Sequence, residues 1–130
     1  MQQQIGFCST TEGARIAYAV VGRGPALIFA QFASSHLEFE WQEPRVRGFW
    51  ETIGRYHLVV RYDKHGCGLS DRNRTDFSVE SEVRTIEAIV KELGPKSFVL
   101  WAHGPASQAI AYAVKHPHRV SHLILCSGLL

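Results

Sequence analysis

The chain has 130 residues, enough for one domain and little else. With 45% hydrophobic, 11% aromatic and 20% charged residues, it has the composition of a folded domain rather than a disordered segment, and at this size about two-thirds of the unfolded surface is buried. Fourteen Lys and Arg against twelve Asp and Glu leave +2, too balanced and too scattered to mark nucleic acid or an anionic membrane as a partner.

Apolar-rich residues 5–10 and 15–21 flank Thr11-Glu12-Gly13, the pattern of a β-hairpin. Gly22-Arg23-Gly24-Pro25 breaks the chain. Residues 26–30 then form a continuous apolar run, the signature of a strand buried on both faces. Pro44 can open a helix at its first turn, followed at helical spacing by Val46, Phe49, Trp50 and Ile53. Residues 57–62 read as a second buried strand, and 63–71, with Gly66 and Gly68, as a loop. Ser78 is placed to cap a helix whose stripe is Val79, Val83, Ile86, Ile89, Val90 and Leu93, and Gly94-Pro95 ends it. Residues 97–102 predict a third buried strand, 106–115 a helix and 120–126 a last strand. This order predicts an α/β domain with a mostly parallel sheet, an N-terminal antiparallel hairpin and helices on both faces. Ligands of such sheets sit beyond the carboxyl ends of the strands, which directs attention to residues 31–40, 63–71 and 101–106.

Met1-Gln2-Gln3-Gln4 carries no positive charge and leads into no apolar run, so no secretory signal is expected. No apolar stretch approaches the roughly 18 residues of a membrane helix. Cys8, Cys67 and Cys126 match no disulfide framework or zinc spacing. The expectation is a cytoplasmic protein with reduced thiols, no cofactor and no membrane or nucleic-acid partner.

The segment Arg61-Tyr62-Asp63-Lys64-His65-Gly66-Cys67-Gly68-Leu69-Ser70-Asp71 resembles the D-x-R-G-x-G-x-S loop of the α/β-hydrolases, with His65 in place of the usual Arg. His116-Pro117-His118-Arg119-Val120 is similar to the family's H-P-x-R-V run, and Gly22-Arg23-Gly24-Pro25 to its G-x-G-P approach to the third strand. Ser35-His36-Leu37-Glu38 and the aromatic helix after it resemble a subgroup fused to nucleotide-cyclase or LuxR-type regulatory domains. The resemblance covers residue 5 to the end and implies the N-terminal half of that fold as a single domain over 1–130, with strand order 1-2-4-3-5-6 and three helices.

It also implies where chemistry would sit. The family's nucleophile occupies G-x-S-x-G on a strained strand-to-helix turn. Here the aligned residues are Trp101-Ala102-His103-Gly104-Pro105, so His103 holds the nucleophile position and the motif is lost. Ser107 lies too far into the following helix to replace it. The oxyanion-site positions fall on Ala33 and Gly104, with bulky Phe32 where a glycine is usual. Gln31, Phe32, His36, Asp63, His65 and Cys67 are the expected crevice-lining residues, with Asp63 organising loops rather than reacting. His36, His65, Cys67 and His103 are adequate zinc ligands chemically, but their spacing is no ligand motif and no metal is expected. The family's triad acid and histidine come from strands later than 120–126.

These features predict a degenerate, truncated hydrolase-like pseudoenzyme with a binding or interaction role. The segment His122–Cys126 of the last strand would present an unpaired edge, so a homodimer or a strand-donating partner is expected there, with a small apolar ligand as a further possibility. The alternatives are a weak esterase working through a non-standard site at His103, and a functionless remnant of a longer hydrolase gene.

Overall fold

Strands β1 (Gln4–Ser9) and β2 (Arg15–Gly22) pair antiparallel from Gln4↔Val20 to Ser9↔Arg15, closing the hairpin expected around Gly13. On its other side β2 pairs antiparallel with β4 (Leu58–Tyr62). From there the sheet is parallel: β3 (Ala26–Ala30) lies between β4 and β5 (Phe98–Pro105), and β6 (Val120–Leu129) follows β5. The computed structural model describes residues 1–129. Its six-stranded sheet has the order β1-β2-β4-β3-β5-β6 that the resemblance implied.

Four helices cover the sheet: α1 (Leu37–Gln42), α2 (Pro44–Gly54), α3 (Val79–Leu93) and α4 (Ser107–Lys115). The expectation of three missed α1. It is a short turn capped by His36, whose Nδ1 accepts from Phe39 N–H. Glu43 ends it in an extended conformation (φ −79°, ψ 116°), because a residue before proline is excluded from the helical region. The same Glu43 then caps α2 by accepting from Arg45 N–H at 3.0 Å. Ser78 caps α3 by accepting from Ser81 N–H, as the sequence indicates.

Alternation along the strands builds a core on each face. Ile16, Ile28, Val60, Tyr62, Phe98, Leu100 and Ala102 meet Val83, Ile86, Ile89 and Val90 of α3 and Ala109 and Tyr112 of α4. On the opposite face Val21 and Val59 meet Trp50 of α2, with Phe29, Trp41 and Trp101 packed alongside. Trp50 is the core aromatic the spacing suggested, whereas Phe49 is 45% exposed. Its ring stacks on Trp101 of β5, with centroids 5.8 Å apart.

Candidate functional site

The crevice above β3, β4 and β5 is organised from Asp63, the buried residue that follows β4. Its Oδ1 accepts from Ser35 Oγ at 2.6 Å, and Oδ2 accepts from the backbone N–H groups of Leu37 (3.2 Å) and Leu69 (2.9 Å). The Ser70 hydroxyl donates to the Asp63 carbonyl at 2.5 Å and accepts from Ala17 N–H at 2.8 Å. Asp71 Oδ2 accepts from Arg15 N–H at 2.9 Å. The motif loop is thus fastened to β2 and to the start of α1, and both Asp63 oxygens already serve protein donors.

Other charged groups beside the crevice are paired as well. Arg61 is buried, donates to Glu40 Oε1 at 2.6 Å and lies 5.3 Å from the Trp50 ring centroid. Burial pushes the Glu40 carboxyl up from its usual value, against the pull of Arg61. Arg74, which no motif singled out, pins the 63–77 segment to α3. It donates to the His65 carbonyl (3.0 Å), to Ser81 Oγ (3.0 Å) and to Glu82 Oε1 (2.6 Å). Burial, reinforced by Glu82, pushes the Tyr62 phenol far above its ordinary value, so this hydroxyl stays neutral at physiological pH.

The elbow position has an unexpected course. The strand does not stop at Ala102: β5 runs on through His103 and Gly104, pairing His103↔Cys126 and Pro105↔Leu129 with β6. Gly104 takes the positive φ (+78°), and Ser127 is the only non-glycine residue among those described with a positive φ. His103 is therefore an exposed residue on an extended strand. Trp101, at the motif's first glycine, fills the gap between sheet and α2 against Phe29 (5.4 Å) and Trp50 (5.7 Å). Its ring therefore packs on the α2 face of the sheet, while Leu100 and Ala102 face α4 on the other.

At the oxyanion-site positions, Ala33 is exposed, and neighbouring Phe32 is 46% exposed with Lys64 Nζ 5.2 Å from its ring centroid. Gln31 is held through its carbonyl, which with that of Ala30 is approached at 3.5 Å by Gln108 Nε2. Gln108 is a buried polar residue in the first turn of α4, and its only sequence signal is a polar side chain on an otherwise apolar helix.

The remaining expected residues do not converge. His36 caps α1 and stacks on Phe39. His65 faces a cavity with Asp71 and Asp76 on the hairpin side. Cys67 Sγ lies 3.8 Å from Ser34 Oγ. Among the described residues, no group of three or more His, Cys, Asp or Glu is arranged to hold a metal ion. The cavity beside Phe32, Lys64, Glu82 and Gln108 measures about 130 Å³, well below the several hundred Å³ of ordinary ligand sites. A larger one of about 680 Å³ lies away from the crevice, between the β1–β2 turn and α3. No described helix is long and apolar enough to cross a membrane.

No protein-family model matches the sequence. Over 75 residues the chain is 35% identical to a proline iminopeptidase of Saccharolobus solfataricus, a match covering 55% of this chain and 24% of that protein. The chain thus spans about a quarter of the length of that curated relative. An α/β-hydrolase fold protein from Burkholderia ambifaria superposes with a TM-score of 0.74 at 24% identity, covering 94% of this chain and 43% of its own. An epoxide hydrolase from Vigna radiata gives 0.76 at 17% identity, covering 95% and 39%. The chain carries the α/β-hydrolase fold, over the part of it that those structures share.

Proposed function

We propose that this chain is a catalytically inactive α/β-hydrolase-like domain that works by binding, with a second copy of itself as the partner. The observation that carries the first half is the extended, exposed setting of His103 at the nucleophile position, on a strand that continues through the elbow. Imidazole attacks an ester efficiently only when a second group orients it, and Asp63 and Glu40 are engaged with other residues. Three free thiols support placing the protein in the reducing cytosol.

The second half rests on β6. Among the described residues it pairs with β5 alone, and Leu123, Ile124 and Leu125 are 38%, 41% and 41% exposed. Open apolar edges pair readily with other strands. Residues 120–127 carry no Asp, Glu, Lys or Arg, so two copies can meet there without opposing like charges.

Two measurements test these halves. Turnover of p-nitrophenyl acetate by the wild type, His103→Ala and Cys67→Ala is expected to match that of free imidazole in all three. A faster rate that either substitution abolishes establishes the esterase alternative. Light scattering at micromolar concentration is expected to give twice the chain mass, shifting to the monomer in Ile124→Lys; a monomeric wild type overturns self-association.

A further inference from the structure

Two buried side-chain atoms among the described residues have no hydrogen-bond partner, the Tyr62 hydroxyl and Glu82 Oε2. Tyr62 ends β4 and is fully buried. Its hydroxyl lies by the Gln31 backbone, too loosely placed to bond with it, and within the field of Glu82. Glu82 stands in the first turn of α3, where its other oxygen, Oε1, is taken by Arg74 at 2.6 Å. Glu82 also lines the cavity of about 130 Å³ beside Phe32, together with Phe77, Val79 and the buried Gln108. Gln108 Nε2 faces the Ala30 and Gln31 carbonyls, and its approach to Gln31 brings it beside the Tyr62 phenol. Orphaned buried donors and acceptors are rare in folded proteins and mark places where a further molecule bonds. We infer that this cavity binds a small neutral alcohol, whose hydroxyl accepts from Tyr62 O–H and donates to Glu82 Oε2.

The chemistry of the two atoms selects that group. Between an O–H donor and a carboxylate oxygen, a hydroxyl satisfies both at once, because it can accept and donate. An ammonium has no acceptor for Tyr62 O–H. It is also repelled by Lys64 and Arg74, which line the same cavity over the rings of Phe32 (5.2 Å) and Phe77 (4.8 Å). A carboxylate has no proton to give Glu82 Oε2 and meets like charge there. Water carries the right group, but the walls of Phe32, Phe77 and Val79 favour a ligand with an apolar body. A cavity of about 150 Å³ holds one benzene, which limits that body here to about four carbons. None of these groups belongs to β6, and the site stands apart from self-association through that strand.

Titrations with n-butanol, butylammonium chloride and sodium butyrate at neutral pH, followed by amide shifts in two-dimensional NMR, test the site. Butanol is expected to move the amides of Phe32, Phe77 and Glu82 and to saturate in the millimolar range, while the two ions leave them in place. Tyr62→Phe removes a hydroxyl that no protein group uses, so the variant should keep the wild-type spectrum outside the cavity. It is expected to bind butanol about fivefold more weakly, the loss of one hydrogen bond. Equal shifts from all three probes, or unchanged butanol binding in Tyr62→Phe, overturn the hydroxyl site. A wild type that butanol does not shift means that water alone joins the two atoms, and overturns it as well.

Discussion

The Asp63 carboxylate lies where a side chain on Gly68 would have to be, and its Oδ2 accepts from the next residue along, Leu69 N–H, at 2.9 Å. Gly68 also takes φ +54°, a conformation that L residues adopt at a cost. Close approach and backbone conformation therefore make the same demand. Gly68→Ala is expected to destabilise the fold by about 2 kcal/mol or more, measured by urea unfolding. Stability within about 0.5 kcal/mol of wild type would show that the loop relaxes around the methyl.

Asp63 itself is predicted to be structural. Asp63→Ala leaves Ser35 Oγ, Leu37 N–H and Leu69 N–H without their acceptor, a loss of about 3 kcal/mol when buried donors are left unpaired. Asp63→Asn should fall between Ala and wild type. Its amide oxygen can still accept from the two backbone N–H groups, while its NH2 donates to Ser35 Oγ. Equal losses for Asn and Ala would mean that charge, and not hydrogen-bond number, holds the loop.

His103→Ser is expected to leave p-nitrophenyl acetate turnover no higher than that of the wild type. The substitution restores the residue type of the motif without its geometry, because residue 103 still lies within β5, paired with Cys126 of β6. Removing the base alone from a serine triad costs several orders of magnitude. Stoichiometric labelling of the new serine by a fluorophosphonate would contradict this expectation.

Cys8 should behave differently from the other thiols. Burial, with a smaller push from Glu92, raises it from 9.0 to about 11. A group raised on folding contributes stability that is present below its unfolded value and lost as pH rises through the folded one. The loss therefore falls between about pH 9 and 11, and Cys8→Ala should reduce it in pH-dependent melting. At pH 8 in native protein, a disulfide-exchange reagent should reach the half-buried Cys67 and Cys126 well before Cys8, which should react only on unfolding. Equal rates for all three thiols would rule out a closed core at β1.

At acid pH the informative group is Glu87. Its partial burial pulls the carboxyl upward, but bonds from Lys115 (2.9 Å) and His116 (2.7 Å) outweigh this and hold it below 4.5. A depressed carboxyl contributes stability above its unfolded value that disappears as pH falls through the folded one. Glu87→Gln should flatten the decline below about pH 4.5, and by less than about 1 kcal/mol because the pair is partly solvated. An unchanged acid limb would place the decline at other carboxylates.

Much of the architecture follows from local sequence. The strand Ala26–Ala30, the Ser78 cap and the end of α3 before Gly94 fall where apolar period and capping chemistry put them. The short α1 was not legible, because six residues show no helical period and histidine is no usual cap. The overrun of β5 was not legible either. Its last residues extend because β6 continues beside them to Leu129, a pairing between segments far apart in sequence. Asp63 was recognisable from its motif as the organiser of the crevice loops. Ser35 and Gln108 were not, since their bonding partners lie 28 and 77–78 positions away.

The sequence by itself determined which elements form and in what order, because period, caps and turn residues act over a few positions of chain. Only the tertiary structure decided which groups face one another: that both Asp63 oxygens are taken by Ser35, Leu37 and Leu69, and that His103 stands exposed on a strand that stays paired with β6 past it, through an irregularity at Gly104. Those outcomes depend on the strand order that brings distant segments together, and on the pairing of β6 beside the last residues of β5.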